Sequence, residues 1–483
     1  MKYYLGIDLG TSAIKISLAN EKGDIIDSSS KDYPLLLPHI YWSEQNPEDW
    51  YEALLIVLQD LSLRNDLSLV SALSFSGQMH GLVLLDDQDK VIRPAILWND
   101  SRVVDEVDYL NNKIGKDFLI DETGNIALCG FTAPKILWIK NNEPENFAKI
   151  SKIMLPKDYL AYKLSGVFAS DVSDLSGTLL FDVKRGQYSK KILNILGITE
   201  SQLPKIYNSY ETIGKVKKEF AEKCHLNKDC KVVIGGGDQA VGATGTNTIA
   251  SNNISISLGT SGVVFAPVDK YCFDKNGLVH SFRHTTGNFH LMGCTLSAMG
   301  SLKRFLEDIL KTTNYDEELN EMSDDISDII FLPYLMGERS PINDPKATGY
   351  FSNLRLVYKR EDLVKAVVEG ICFSLYDVLN VMKENGITAS VARVIGGGTK
   401  SDKFMQILAD IFGMELRTIT TKDGGALGAI ILAMVGDGLY CDINSACLSL
   451  VHDKKYYYPI NEKHEIYNKK FAKYKELYNK VKQ

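Results

Sequence analysis

Two phrases in this chain place small polar residues where anion chemistry could occur. Tyr4-Leu5-Gly6-Ile7-Asp8-Leu9-Gly10-Thr11-Ser12 is an apolar strand that runs into a turn of small residues. Ile254-Ser255-Ile256-Ser257-Leu258-Gly259-Thr260-Ser261-Gly262 returns near mid-chain with Leu-Gly-Thr-Ser unchanged. β-Branched residues resume after each turn, at Ile14 and Ile16 and at Val263 and Val264. Each phrase therefore predicts a strand–turn–strand hairpin. Glycine lets a ligand approach the backbone, consecutive N–H groups of a turn form a concave anion site, and the Thr and Ser hydroxyls add donors. Two such hairpins facing each other could clamp the phosphates of one nucleotide. A chance repeat is the plain alternative, since Gly-Thr-Ser is cheap in composition; the shared strand context and the spacing weigh against it.

The two copies differ at one position that matters chemically. Asp8 in the first is matched by Ser257 in the second. A carboxylate repels phosphate but holds a metal ion or its waters, so Asp8 is expected on magnesium and the turns on phosphate. A buried aspartate bonded to its own turn is the plain alternative. A second carboxylate, Asp238, ends Val233-Ile234-Gly235-Gly236-Gly237, whose glycines leave room for a substrate. Asp238 would equally suit a helix N-cap before Gln239-Ala240-Val241. The glycine phrase returns at Val394-Ile395-Gly396-Gly397-Gly398. Small-residue segments at 239–245 and 424–429 predict two closely approaching helices, crossing between lobes as a hinge or packing each in its own core. His280, His284 and His290 lack a carboxylate or cysteine at zincin spacing, which discounts a metal site there.

Several elements must position these residues. Asn46-Pro47-Glu48-Asp49 starts a helix, with Trp50, Ala53, Leu54, Val57 and Leu58 on one face. Val70 to Phe75 reads as a strand leading to Ser76-Gly77-Gln78-Met79-His80-Gly81. Such alternation predicts an α/β class. The chain has 483 residues, more than one core usually supports, so two domains are expected, 1–246 and 247–483. Residues 463–483 are lysine-rich, with Tyr467, Phe471, Tyr474 and Tyr478 at helical spacing. A membrane-surface helix would look like that; the expectation is a terminal helix docked by its aromatic side with its lysines in water.

Composition excludes some classes. A net charge of −7 does not suit wrapping nucleic acid. The eight cysteines form no C-x-x-C pair, and unbridged thiols suit a reducing cytoplasm. Asp8 interrupts the first apolar stretch, against a signal peptide. The longest apolar run, 426–435, is too short for a bilayer. A soluble, cytoplasmic protein without membrane partners is expected.

The ordered series of phrases resembles the FGGY family of carbohydrate kinases. It comprises Asp8-Leu9-Gly10-Thr11-Ser12, Phe131-Thr132-Ala133-Pro134-Lys135-Ile136-Leu137-Trp138, Leu155-Pro156-Lys157-Asp158-Tyr159-Leu160 and Ala169-Ser170-Asp171-Val172-Ser173-Asp174. Gly235-Gly236-Gly237-Asp238, Leu258-Gly259-Thr260-Ser261-Gly262 and Phe331-Leu332-Pro333-Tyr334-Leu335-Met336-Gly337-Glu338-Arg339 complete it. The resemblance implies two actin-like (ribonuclease H-like) α/β domains with an interdomain cleft, the N-terminal one binding sugar and the C-terminal one nucleotide. ATP and Mg2+ are the implied cofactors, and a homodimer is expected by analogy. Gln78-Met79-His80-Gly81, Trp42-Ser43-Glu44-Gln45 and Ile96-Leu97-Trp98-Asn99-Asp100 are similar to phrases of members that phosphorylate D-xylulose at its terminal hydroxyl.

Carried across, the resemblance makes Asp238 the catalytic base and, with Asp8, a metal ligand. Gln78, Met79, His80 and Gln239 would meet the sugar. Gly10, Thr11, Ser12, Lys15, Gly259, Thr260, Ser261, Gly300, Gly397, Gly398 and Ser401 would meet ATP. Gln239 departs from the asparagine common in D-xylulose members and matches glycerol-phosphorylating ones. L-ribulose, glycerol and gluconate therefore stay open as substrates. A non-catalytic actin-like protein would share the hairpins but has no need of Gln78-Met79-His80 with Asp238.

Overall fold

The computed structural model describes residues 2–421 and 423–482. In chain order the elements used below are β1 (Tyr3–Leu9), β2 (Ala13–Asn20), β3 (Ile25–Asp32), α1 (Pro47–Ser62) and β4 (Val70–Gly77). There follow α2 (Thr132–Asn142), α3 (Pro156–Ser165), β5 (Thr212–Lys215), β6 (Lys231–Val233), β7 (Gly236–Gly237) and α4 (Asp238–Gly245). Then come β8 (Asn253–Leu258), β9 (Gly262–Val268), α5 (Arg360–Glu384), β10 (Val391–Gly396) and α6 (Asp402–Phe412). The last are β11 (Glu415–Ile419), α7 (Gly424–Asp437), β12 (Asp453–Tyr457) and α8 (Asn461–Val481).

The chain forms two α/β units. One comprises Met1–Ile249, Ser281–Phe289 and Asp423–Val451; the other comprises Ala250–His280, His290–Lys422 and His452–Gln483. The first crossing lies close to the expected boundary at 246. A single cut does not describe the chain, however, because 281–289 and 423–451 return to the first unit.

In the first unit the sheet order is β5-β6-β4-β1-β2-β3, with β7 also on β4. β1 pairs antiparallel with β2 and parallel with β4. Strand alternation decides what each residue of β1 meets. Leu5, Ile7 and Leu9 share a core with Trp50, Leu54, Leu58, Leu73 and Phe75, which is the face covered by α1. That helix starts as its sequence indicates: Asn46 caps it by accepting from Glu48 N at 3.2 Å, and Pro47 opens its first turn. Tyr4 lies on the opposite face with Ile430, Ala433 and Met434 of α7. Gly6 is on that face too, where a Cβ would stand 2.5 Å from Ala426 O. Asp8, two residues on, therefore points toward the start of α7.

The two small-residue helices do pack together, but both belong to the first unit. A Cβ on Gly245 would overlap Gly424 O, and one on Gly428 would overlap Val241 O. The glycines thus dock α7 onto α4 and β1 inside one unit, and the expected hinge between lobes is not where they sit. Asp437 fixes the far end of α7, accepting from Lys2 Nζ at 2.8 Å and Tyr4 Oη at 3.1 Å.

In the second unit five neighbouring strands run β9-β8-β10-β11-β12. β8 pairs antiparallel with β9 and parallel with β10, repeating the hairpin-plus-parallel-strand plan of the first unit. Ile254, Ile256 and Leu258 enter a core shared with α5, α6 and α8. The C-terminal segment is a helix docked by Tyr467 and Tyr474, as its aromatic spacing indicates. One of its lysines departs from expectation: Lys470 is buried and pairs with Glu369, which also accepts from Tyr467 Oη at 3.0 Å.

Candidate functional site

In the first unit, the ends of three strands bring the candidate residues level. Leu9 of β1 is registered with Gly77 of β4, and Gly77 with Gly237 of β7. The three chains leave the sheet side by side as Gly10-Thr11-Ser12, Gln78-Met79-His80 and Asp238. The carboxyl ends of parallel strands are where open α/β sheets bind ligands.

Asp238 is the first residue of α4; the cap is Gly237, and no side chain caps the helix. The N-cap position thus falls to the preceding residue, while the Asp238 carboxylate meets the backbone and side-chain amides of Gln239. Asp238 and Asp8 both keep partial exposure while protein crowds them on most sides. Burial, then the neighbouring Asp8 charge, pushes the Asp238 carboxyl up to about 7, against the stabilising amide of Gln239. Burial also pushes Asp8 up to about 6; Asp423 adds to this, and Lys15 opposes it. A Cβ on Gly425 would lie 3.4 Å from both Asp8 Oδ2 and Ser76 Oγ, so the backbone of α7 closes over Asp8. Two carboxylates lifted in this way form a donor set that suits a hard cation. Magnesium takes one or two carboxylates and completes its shell with phosphate oxygens and water. Among the described residues no cluster of three His, Cys, Asp or Glu offers an all-protein cage.

Lys15 stands across the hairpin from Asp8, and its ammonium is 2.7 Å from Asp423 Oδ2. Asp423 in turn caps α7 by accepting from Ala426 N at 2.9 Å. The turn at 10–12 is held from two sides. Gln45 Nε2 donates to Thr11 O at 2.7 Å, and Trp98 Nε1 donates to Thr11 Oγ1 at 2.9 Å.

Met79 and His80 are seated by glycines. A Cβ on Gly237 would lie 2.8 Å from Met79 Sδ, and one on Gly177 would overlap the His80 ring. His80 has a left-handed backbone, φ 69°. Its carbonyl accepts from Thr132 Oγ1 at 3.1 Å and Lys135 Nζ at 2.9 Å. Its Nδ1 is 2.8 Å from Gly177 O; a carbonyl only accepts, so the hydrogen is assigned to Nδ1. Lys135 is fully buried, and loss of water pulls its ammonium down to about 7. Gln78 is buried and turned to the scaffold: its N–H donates to Leu9 O at 2.8 Å and its Nε2 to Gln45 Oε1 at 3.1 Å. Gln239 is partly exposed beside Asp238.

In the second unit, Gly259, Thr260 and Ser261 form the turn between β8 and β9. Ala298 N and Gly300 N both donate to Thr260 O, at 2.9 and 3.0 Å, and Met299 N donates to Gly259 O at 2.9 Å. Gly300 is thus brought directly against the turn. β10 ends level with β8, Gly396 opposite Leu258. Gly397 is exposed, while Gly398 packs on Leu258, where a Cβ would stand 2.5 Å from Cδ1. Ser401 Oγ is engaged as the cap of α6, accepting from Phe404 N at 3.2 Å. His280, His284 and His290 are buried; loss of water holds His280 down to about 3 and His284 down to about 4, as suits neutral core side chains. No helix among the described residues is long and apolar enough to cross a membrane.

Residue-type reasoning passed over Gln45, Trp98, Lys135 and Asp423 as individuals. Only Lys135 carried a signal of its own, a buried cation inside the apolar phrase 131–138.

Comparison with known proteins gives the family. Residues 3–245 match the N-terminal domain of the FGGY family of carbohydrate kinases, and residues 254–436 match its C-terminal domain. A xylulose kinase of Lactococcus lactis is 40% identical, covering 100% of this chain and 96% of that protein. The ligand-bound xylulose kinase of Lactobacillus acidophilus superposes with a TM-score of 0.95 at 29% identity, covering 100% and 98% of the two chains. A gluconate kinase of the same organism gives 0.93 at 28%, covering 99% and 98%. Both halves of the chain, with the strand ends that gather Asp8 and Asp238, belong to the FGGY family of carbohydrate kinases.

Proposed function

We propose that this chain is a xylulose kinase, transferring the terminal phosphoryl group of ATP to the terminal hydroxyl of D-xylulose. The observation that carries the reading is the Asp238 carboxyl, lifted to about 7 at a strand end level with Met79 and His80. A base poised near neutrality suits proton removal from an alcohol. Asp238 takes the hydroxyl proton as the sugar oxygen bonds to the γ-phosphorus. The bond from that phosphorus to the β–γ bridging oxygen breaks, and ADP departs. Positioning and charge neutralisation do most of the work in such a transfer. The Gly10–Ser12 and Gly259–Ser261 turns bind phosphate, and Gly300, Gly397 and Gly398 line the nucleotide. Asp8 and Asp238 would hold Mg2+, which neutralises phosphate charge when bound. Met79 and His80 orient the ketose. The first unit carries the sugar and the acid–base chemistry; the second carries nucleotide contacts.

ADP release over D-xylulose, L-ribulose, gluconate and glycerol tests the substrate. D-xylulose should give the highest kcat/KM; a higher value for gluconate or glycerol would rename the enzyme. Asp238→Ala should lower kcat about 1,000-fold, within the usual range for loss of a general base, with ATP and sugar binding nearly unchanged. Near-normal turnover in that variant would remove Asp238 from the reaction.

A further inference from the structure

A fully buried charge cluster stands behind the strand ends. Lys157 Nζ is 2.6 Å from Asp158 Oδ1, 2.9 Å from Asp171 Oδ1 and 3.7 Å from Asp174 Oδ2, and all four side chains are 0% exposed. One ammonium among three carboxylates without solvent is a poor way to stabilise a core, since hydrophobic replacements often do as well or better. Its geometry leads toward the site. Asp171 Oδ2 accepts from Ser173 N at 2.8 Å, Ser173 Oγ at 2.5 Å and Ser209 Oγ at 2.6 Å. With its hydrogen given to Asp171, Ser173 Oγ accepts from Gly237 N at 3.2 Å. A Cβ on Gly236 would stand 2.5 Å from Ser173 Oγ and 3.3 Å from Asp171 Oδ2. Both residues of β7 are thus gripped from one side. On the neighbouring strand, a Cβ on Gly77 would stand 2.6 Å from Lys157 Cβ, so the lysine also abuts the residue before Gln78.

We propose that Ser173 is a positioning residue for phosphoryl transfer, the last link of a buried Lys157–Asp171–Ser173 clasp that fixes the Gly236–Gly237 strand end from which Asp238 projects. β7 is only two residues long and, among the described residues, pairs with β4 alone. Its own ladder is a weak anchor for a group that must hold still to well under an ångström. The clasp supplies the missing restraint, and the charge at its centre keeps the Ser173 hydroxyl oriented with its lone pairs toward Gly237 N–H. This inference rests on the reading of Asp238 as the base.

Ser209 provides a control, because it donates to the same carboxylate oxygen but, among the described residues, its side chain makes no hydrogen bond to β7. Ser173→Ala removes its bond to Asp171 and the one it accepts from Gly237 N, whereas Ser209→Ala removes only its bond to Asp171, so both should lower Tm, Ser173→Ala by more. Only Ser173→Ala should lower kcat, by about 10- to 100-fold, the range expected for a misplaced catalytic group. Its KM values for ATP and sugar should move less than about threefold, the pattern of an interaction realised in the transition state. Ser173→Thr keeps the hydroxyl and should restore kcat to within about threefold of the parent. Equal kcat in Ser173→Ala and Ser209→Ala would overturn the clasp. If Ser173→Ala does not fold, a collapsed kcat in folded Ser173→Thr overturns it, and a retained kcat supports it. Asp238→Ala run alongside separates the two claims. If it is inactive while Ser173→Ala matches Ser209→Ala, the clasp alone fails; if it is active, the base assignment itself has failed.

Discussion

The first hairpin sets Asp8 across from Lys15, and the second sets Ser257 across from Val263. Their backbones follow one plan: an antiparallel hairpin, a Leu-Gly-Thr-Ser turn, and a parallel strand ending level with the turn, Gly77 in one case and Gly396 in the other. Their electrostatics differ. Beside the first turn stand Asp8, Lys15, Asp423 and Asp238, two of them with carboxyls displaced toward neutrality. At the second hairpin the matching positions are a neutral hydroxyl and an aliphatic side chain. One duplicated scaffold thus carries charged groups at the first turn and neutral ones at the second, which under the proposed function become charge handling and backbone binding of the nucleotide. The difference is made by single residues on the face of the strand away from the main core.

The largest effect that would break this comparison is at the matched pair Asp8 and Ser257. Asp8→Ala should reduce kcat/KM by about 1,000-fold, the cost of losing charge stabilisation in a phosphoryl transfer. Ser257→Ala should change it by no more than about threefold, as expected for an ordinary surface-facing hydroxyl. Steady-state kinetics with ATP and D-xylulose decide it. Comparable losses in the two variants would mean that the hairpins are functionally symmetric.

A middle-sized effect concerns what the two turns share. Thr11→Val and Thr260→Val each remove one hydroxyl beside a turn and leave the backbone N–H groups in place. If phosphate is held mainly by backbone, each should raise KM for ATP only about threefold to tenfold, the worth of one hydrogen bond. Thr11→Val should also disturb Trp98, whose Nε1 loses its 2.9 Å partner. A fluorescence change confined to Thr11→Val would sharpen the comparison, because Thr260 has no such aromatic neighbour bonded to its hydroxyl among the described contacts.

How much of this was legible follows from the range of the forces involved. The hairpins, α1 with its Asn46 cap, and β4 depend on local periodicity and turn chemistry, and they lie where those patterns place them. The acid at the end of the triple-glycine strand was legible as well, because glycine before a carboxylate is a local signal. The docking of α7 into the first unit was not. It depends on Gly6, Gly245 and Gly428 meeting backbone from segments far apart in sequence, and small-residue spacing alone does not say which partner is met. Gln78 and Ser401 also hold structural bonds that their motifs do not announce: Gln78 Nε2 donates to Gln45, and Ser401 Oγ caps a helix. The Lys157–Asp158–Asp171–Asp174 cluster was not legible, because charged residues are expected outside unless paired, and the pairing joins a helix to segments met only in the fold. Lys470 defeats the helical-wheel reading for the same reason, its partner Glu369 lying on a different helix.

The smallest effect concerns stability rather than rate, and it shows the asymmetry without substrate. Asp8 titrates higher in the folded protein than in the unfolded chain, about 6 against 3.8. The folded state therefore binds its proton more tightly. The group costs nothing below pH 3.8, and stability is lost progressively as pH rises toward 6; above that, the full penalty of a crowded, charged carboxylate is present. Asp8→Asn removes the charge and keeps the shape. In Mg2+-free, nucleotide-free protein it should raise stability by about 1 kcal/mol at pH 8, after discounting for the partial exposure of the group. At pH 4.5 the gain should shrink toward zero. Ser257→Ala, with no charge to remove, should show no such pH dependence. Denaturant melts of the two variants and the parent at both pH values provide the measurement. An Asp8→Asn gain that is equal at pH 4.5 and pH 8 would mean that the carboxylate is not held above its ordinary range, and that the electrostatic difference between the hairpins is smaller than the structure indicates.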